Sequence, residues 1–351
     1  VFRRVTMLGK VGRQMQAWFH SPGGWFVVGA HVSVVGEDEE PTGLVSRCQE
    51  ECMSDPEIDA IRAILAASPR PSGLAERRER LDGLGRHYGV PADFRLERVD
   101  ANGVEAEWSA SPAADPTRAI LFLHGGGYIS GSIDSHRPLA TAIGRAAGAR
   151  TLALGYRRAP EHPFPAALED AMSGYRFLLE RGIAPGRIAI AGDSAGGGLT
   201  IAAMVAARDR GLPLPSCGWC ISPWVDLENT GTTMATKAAV DPMIQKPYLM
   251  ELARDYLGAA SPRTSLASPL FADLHGLPPV LIQVGSAETL LDDSVRLAGA
   301  LGAADDAVTL EVWPGMIHAF PLFHEQVAAA RRAIARAGKF IRSTQGIAGA
   351  P

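Results

Sequence analysis

The sequence is short of several things that would point elsewhere. No apolar run reaches the roughly 18 residues of a membrane span, and no low-complexity tract or repeat period marks the 351 residues. An excess of one charge is missing too, since 34 Lys and Arg stand against 38 Asp and Glu for a formal net charge of −4. That near-balance removes the electrostatic case for nucleic acid or an anionic membrane as partner. Cysteine is scarce, with four in the whole chain, so no disulfide framework is expected and a reducing cytoplasm suits the composition. Two of the four stand in the apolar run Cys217-Gly218-Trp219-Cys220. Positions i and i+3 of a strand face opposite ways, so these read as separately buried thiols rather than half a metal site or a redox pair. No metal and no cofactor is expected.

What is present is a hydrophobic fraction of 46% with 21% charged residues, a globular composition able to bury a large core. Residues 1–52 stand apart from the rest. Arg3, Arg4, Lys10 and Arg13 precede an apolar stretch broken by Ser21-Pro22-Gly23-Gly24, and the acidic Glu37-Asp38-Glu39-Glu40 follows. A basic start with an apolar middle resembles a leader, but the run is short and carries His31. The segment is expected to be a dispensable extension ahead of a natural start at Met53.

Order begins at Ser54-Asp55-Pro56-Glu57, a helix start with Ser54 as the capping hydroxyl and proline and acid in the first turn. Ile58, Ile61, Ile64 and Leu65 keep helical spacing, and a second helix is expected from Ser72 to His87. Residues 53–90 therefore read as two helices whose apolar stripes must cover something. A hairpin follows, with Phe94–Val99 and Val104–Trp108 alternating about Asn102-Gly103.

From there strand and helix alternate. The strand cores are Ile120–Leu123, Thr151–Leu154, Ile188–Ala191, Cys217–Ile221, Val280–Val284 and Val308–Trp313. Most are nearly continuous apolar runs, as parallel strands covered on both faces require. Helices are expected near Ser135–Ala147, Ala166–Arg181, Ala195–Arg210, Leu290–Leu301 and Phe323–Ile341. The fold class is α/β, a mostly parallel eight-stranded sheet flanked by helices. Residues 91–222 and 279–345 make this domain. Residues 223–278 interrupt it with no convincing strand and one helix near Pro247–Leu257, which reads as a lid over the carboxyl edge of the sheet.

Chemistry concentrates at that edge. Gly192-Asp193-Ser194-Ala195-Gly196-Gly197 lies between the strand Ile188–Ala191 and a helix, the turn that lifts a serine hydroxyl above a sheet. Ser194 is the candidate nucleophile, and it needs a base, an orienting acid and oxyanion donors. His318, in the loop after the last strand, is the candidate base; His275 falls in the lid and His324 in the final helix. Glu288 is the first carboxylate past the strand Val280–Val284 and is preferred as the acid over Asp292, which falls in the next helix. His124-Gly125-Gly126-Gly127-Tyr128 follows the first core strand, where glycines let backbone N–H groups turn inward. No Lys-Ser/Thr follows, so it is not a phosphate loop, and His124 reads as structural.

Four motifs run in order: His124-Gly125-Gly126-Gly127, Tyr156-Arg157-Arg158-Ala159-Pro160-Glu161 with Pro163-Phe164-Pro165, Gly192–Gly197, and Gly315-Met316-Ile317-His318. Together they resemble the hormone-sensitive-lipase-like bacterial carboxylesterases (family IV) of the α/β-hydrolase fold, over about Met53 to Ile341. The resemblance implies oxyanion donors at the backbone of Gly126, Gly127 and Ala195, and a two-piece helical cap from 53–90 and 223–278. It further implies short-chain acyl esters as small-molecule substrates, a serine acyl-enzyme and often a homodimer. The family's acid is most often aspartate in an Asp-Pro-Leu setting, where this chain has Glu288-Thr289-Leu290. Tyr128, Asp193 and Trp224 are expected to border the substrate, with core packing as the alternative for the aromatics and a loop hydrogen bond for Asp193. An amidase or lactonase would use the same triad. A non-catalytic receptor shares the fold but is disfavoured by the presence of serine, acid and histidine together.

Overall fold

A computed structural model describes residues 55–346 in full and, of residues 1–54, the backbone of three strands. The chain divides into two compact units, Val1–Ser54 and Asp55–Pro351. In the first, β1 (Val5–Met7), β2 (Lys10–Ser21) and β3 (Gly24–Val34) form an antiparallel sheet in the order β1-β2-β3. The sequence reading found no strand here. Between the pairs Gln16–Ala30 and Trp18–Val27, β3 places two residues, Val28 and Gly29, opposite Ala17 of β2, and this bulge interrupts the period of two in β3. Cys48, Cys52 and Met53 lie outside the described residues.

The second unit is built on an eight-stranded sheet. Its strands are β4 (Arg95–Asp100), β5 (Glu105–Ala110), β6 (Asp115–Leu123), β7 (Ala149–Leu154), β8 (Ile188–Asp193), β9 (Cys217–Ile221), β10 (Val280–Gly285) and β11 (Val308–Trp313). They stand in the order β11-β10-β9-β8-β6-β7-β5-β4. The pairings from β7 through β11 are parallel, while β5 runs antiparallel to both β7 and β4. Alternate residues of the central strands feed two separate cores. Leu121, Leu123, Ile190 and Cys220 pack on one face, with Ile120, Phe122, Ala191 and Cys217 on the other. Both thiols are free and buried, one in each core.

Helices α4 (Ala166–Glu180), α5 (Ala195–Asp209) and α7 (Leu291–Ala303) cover the first face, and α3 (Ile133–Ala147) and α8 (Ala328–Thr344) the second. Above the carboxyl edge come α1 (Pro56–Ala67), α2 (Leu74–Tyr88) and α6 (Lys246–Leu257). Among the described residues, no helix is long and apolar enough to cross a membrane.

Two local expectations need correction. The cap of α1 is Asp55, whose carboxylate accepts the Glu57 N–H at 3.0 Å, rather than Ser54. Pro56 at the first helical position fixes the start one residue later than the serine suggested. The last helix begins at Ala328, not Phe323. Ala319 adopts a left-handed φ of 48° and Phe320–Phe323 forms a separate 3-10 turn opened by Pro321, so His324 sits between turn and helix.

Candidate active site

The parallel strands bring the ends of β6, β8, β9, β10 and β11 to one edge, and each is followed by a loop carrying polar groups. At the end of β8 the chain turns so sharply that Ser194 takes φ 54° and ψ −118°, a strained conformation for a residue with a side chain. Its N–H donates to Ile221 O at 2.8 Å, and its carbonyl accepts Trp224 N–H at 3.0 Å. The turn is therefore tied to the end of β9 on both sides. The neighbouring glycine is obligatory: a Cβ on Gly196 would stand 1.9 Å from Leu123 O. Ser194 itself is 8% exposed.

His318 lines the same cavity as Ser194, and its Nδ1 is 3.1 Å from Glu288 Oε2. An ionised carboxylate only accepts, so Nδ1 carries the hydrogen and Nε2 is left with its lone pair. The other oxygen, Oε1, accepts the Gly285 N–H at 3.2 Å. Burial pushes the Glu288 carboxyl above the ordinary carboxylate range, and the adjacent histidine offsets this only in part. Burial works against a charged His318 as well, but the hydrogen bond and negative charge of Glu288 outweigh it and hold its pKa above the usual histidine value. Asp292 faces elsewhere: its Oδ2 accepts the Thr232 N–H at 2.7 Å.

The glycine loop after β6 approaches from the other side. Gly126 and Gly127 have φ of 112° and 63°, and a Cβ on Gly126 would lie 2.3 Å from Ser130 O. Among the described residues neither of their N–H groups meets a protein acceptor. Ala195 is fully buried at the first position of α5, where N–H groups have no partner within the helix. Asp193 fastens the loop to the serine turn. Its Oδ1 accepts the Gly125 N–H at 3.0 Å, and its Oδ2 is 3.3 Å from His136 Nε2. Burial alone would raise its pKa, but the charge and hydrogen bond of His136 hold it below the usual value.

A cavity of about 670 Å³ joins these parts. Gly126, Gly127, Asp193, Ser194, Trp224 and His318 line it from below. Ile61 and Leu65 of α1, Leu81 and Leu84 of α2 and Leu249 and Leu252 of α6 line it from above. Trp224 is fully buried and donates from Nε1 to Asn229 Oδ1 at 3.0 Å. Tyr128 does not line the cavity. It stacks on Tyr256 with ring centroids 3.7 Å apart, which is core packing, so its expected place beside the substrate is corrected. His124 is likewise internal, with Nδ1 2.8 Å from Gly125 O and its pKa pushed down to about 3 by burial. Among the described residues no group of three or more His, Cys, Asp or Glu could hold a metal ion.

The sequence reading missed three contributors. Ser222 follows β9 with φ 45°, and its Oγ accepts the Ala319 N–H next to His318 at 3.0 Å. His136 braces Asp193. Asp241, from the segment between β9 and β10, accepts the Thr289 N–H beside Glu288 at 2.8 Å. A position directly after a parallel strand was the available signal for Ser222; the other two had none.

A family model described as the α/β hydrolase fold matches residues 120–322. A second model, AtzH-like, matches residues 1–38. Among curated proteins the chain is similar to an acetyl-hydrolase of Streptomyces hygroscopicus, 45% identical over 296 residues, covering 84% of this chain and 99% of the relative. An esterase of Acinetobacter venetianus is 33% identical over 264 residues, covering 75% of this chain and 87% of the relative. Among solved structures it is similar to an esterase from the bacterial hormone-sensitive lipase family, with TM-score 0.82, 45% identity, and coverage of 84% and 99% respectively.

Proposed function

Because this chain belongs to the hormone-sensitive-lipase-like esterases of the α/β-hydrolase fold and hydrolyses carboxylic esters, we propose that it cleaves short-chain acyl esters through a serine acyl-enzyme. Ser194 is the nucleophile, His318 the base and Glu288 the acid that orients it. The observation that carries this reading is the buried His318–Glu288 pair at 3.1 Å, opening onto the same cavity as the strained Ser194.

Nε2 of His318 takes the Ser194 proton as Oγ attacks the ester carbonyl. The carbonyl oxygen becomes an oxyanion facing the N–H groups of Gly126, Gly127 and Ala195. Collapse breaks the bond to the alkoxy group, which leaves as alcohol with the proton from His318. Water then attacks the acyl-serine by the same proton path and releases the acid. Residues 53–90 and 223–278 act as the cap, supported by the apolar side chains they lend to the cavity roof. Residues 1–52 are dispensable for hydrolysis, since a relative matched over 99% of its own length covers only 84% of this chain.

Ser194→Ala tests the chemistry. Turnover of 4-nitrophenyl butyrate is expected to fall to background while the thermal midpoint stays near the parent's. Parent-like turnover in that variant would end the proposal. An ester chain-length series run beside a matched amide and lactone separates the short-chain esterase from amidase and lactonase alternatives.

A further inference from the structure

The cavity floor is nearly neutral, but its rim is not. Arg70, from the middle of the α1–α2 connection, and Arg77 and Arg80, from the first two turns of α2, all line it. Among the described residues, the one carboxylate in the lining is Asp193, already engaged by Gly125 N–H and His136. Arg77 is neutralised by Glu251 of α6 at 2.7 Å. Among the described residues, Arg70 and Arg80 have no carboxylate within ion-pair distance. Arg80 donates to Pro69 O at 2.7 Å, and Arg70 donates to Met243 O. Main-chain carbonyls satisfy a donor or two but leave the net charge in place, and each guanidinium carries five N–H groups.

Arg70 is also laid out for recognition. Its guanidinium carbon sits 3.5 Å from the centroid of the Tyr248 ring. Stacking fixes the plane and leaves an edge of paired N–H groups, the geometry that a carboxylate or phosphate accepts in a fork. Asp241 supplies a counter-charge that favours the charged form of Arg70. Its oxygens are held by Met243, Ile244 and Thr289 N–H groups and make no ion pair with Arg70, so one carboxylate faces the two guanidinium groups of Arg70 and Arg80. The Arg70 pKa lies below the ordinary value, first through burial and then through the neighbouring charges of Arg77 and Arg80. The rim is short of negative charge.

Resting on the ester-hydrolase reading of this site, we propose that the preferred substrate is an ester carrying an anionic oxyacid group, carboxylate or phosphate, at the end remote from the scissile bond, held by Arg70 and Arg80 at the cavity rim. The apolar walls between rim and Ser194 take the connecting chain. Selectivity then comes from the rim rather than from the machinery at Ser194.

The test compares 4-nitrophenyl monoesters of dicarboxylic acids of increasing length with neutral 4-nitrophenyl esters of matched length, and repeats the comparison with ω-phosphono acids to separate the two anions. A second pair places the charge on the alcohol side. At low ionic strength the anionic ester is expected to exceed its neutral match by about five- to tenfold in kcat/KM at some length, with the advantage shrinking in about 0.5 M salt. The double variant Arg70→Gln/Arg80→Gln is expected to abolish the ratio. Because the ratio is measured on one preparation, partial loss of folded protein cancels. Neutral esters turned over at least as well as anionic ones, at every length, on both sides and at low salt, would overturn the inference and leave the hydrolase intact. No turnover of any ester would instead refute the reading on which it rests.

Discussion

Glu288→Gln removes a charge and no volume, so the consequence follows from hydrogen-bond arithmetic. In the parent, Oε1 accepts Gly285 N–H at 3.2 Å and Oε2 pairs with His318 Nδ1 at 3.1 Å. A glutamine amide has one oxygen and one NH2 for these two donors. With its oxygen on Gly285, the NH2 faces Nδ1 and forces the hydrogen to Nε2, which can then no longer accept the Ser194 proton. With its oxygen on Nδ1, the NH2 collides with the Gly285 N–H in a fully buried site, an unpaired contact worth about 1–3 kcal/mol. In either case the negative charge that stabilises the imidazolium is gone. Loss of tautomer and charge together is expected to lower kcat by three to four orders of magnitude, about 4–5.5 kcal/mol in activation free energy.

The pH profile supplies a second readout with a definite sign. The base must be neutral, so kcat/KM falls as pH drops through the His318 pKa. Since Glu288 holds that pKa above the ordinary histidine value of about 6.5, the acid limb of the parent lies above that point. Without the charge, burial dominates and the limb of the variant moves to lower pH. Initial rates on 4-nitrophenyl butyrate between pH 5 and 9 measure both effects, with the buffer range limited to about the stable span of the protein. Near-parental kcat, or a limb displaced to higher pH, would refute the assignment of Glu288.

Asp241→Asn keeps shape but cannot accept all the N–H groups of Met243, Ile244 and Thr289. It is expected to lower kcat about tenfold with a smaller change in KM, and to move the acid limb down because Asp241 also supports the charged form of His318. Asp293 is fully buried with its carboxyl pushed up to about 8, chiefly by burial, while Oδ2 accepts Val225 and Asp226 N–H groups. The native state thus retains a proton that the unfolded chain loses near pH 4, so this group costs stability increasingly from about pH 4 to 8. Asp293→Asn is expected to match the parent in urea denaturation near pH 4 and to exceed it at pH 8; an equal gap at both pH values would refute the shift.

The parts most legible in the sequence were those fixed by local pattern. Parallel strands such as Ile188–Ala191 and Val280–Val284 read as apolar runs because both faces are buried. The serine turn read through its glycines, and close approaches such as Gly196 to Leu123 O explain why nothing larger fits there. Glu288 could be preferred because it alone precedes the helix, and the structure sets it against His318. What stayed hidden was of two kinds. In the N-terminal sheet, β3 lost its alternation to the bulge at Val28 and Gly29. Tyr128 looked like a substrate neighbour from its place after the glycine loop, yet φ 65° turns it away onto Tyr256.

The other hidden kind consists of ties between residues far apart in sequence, and these decide how the site works as a unit. Asp241 reaches Thr289 across 48 positions and Ser222 reaches Ala319 across 97. No periodicity records such a pair, because each end is simply one polar residue in a loop. Their placement is nonetheless ordered. Asp241 belongs to the segment that roofs the cavity through Met243 and Ile244, and it also grips Thr289, the residue after Glu288. Ser222 closes the other end by holding the backbone just past His318. Substrate pressed against Met243 or Ile244 would bear on the same loop that holds Glu288, so truncating either is expected to lower kcat as well as raise KM in initial-rate measurements. A roof residue without such a tie, such as Leu249, provides the contrast: truncating it changes the cavity wall and leaves the Asp241–Thr289 bond in place.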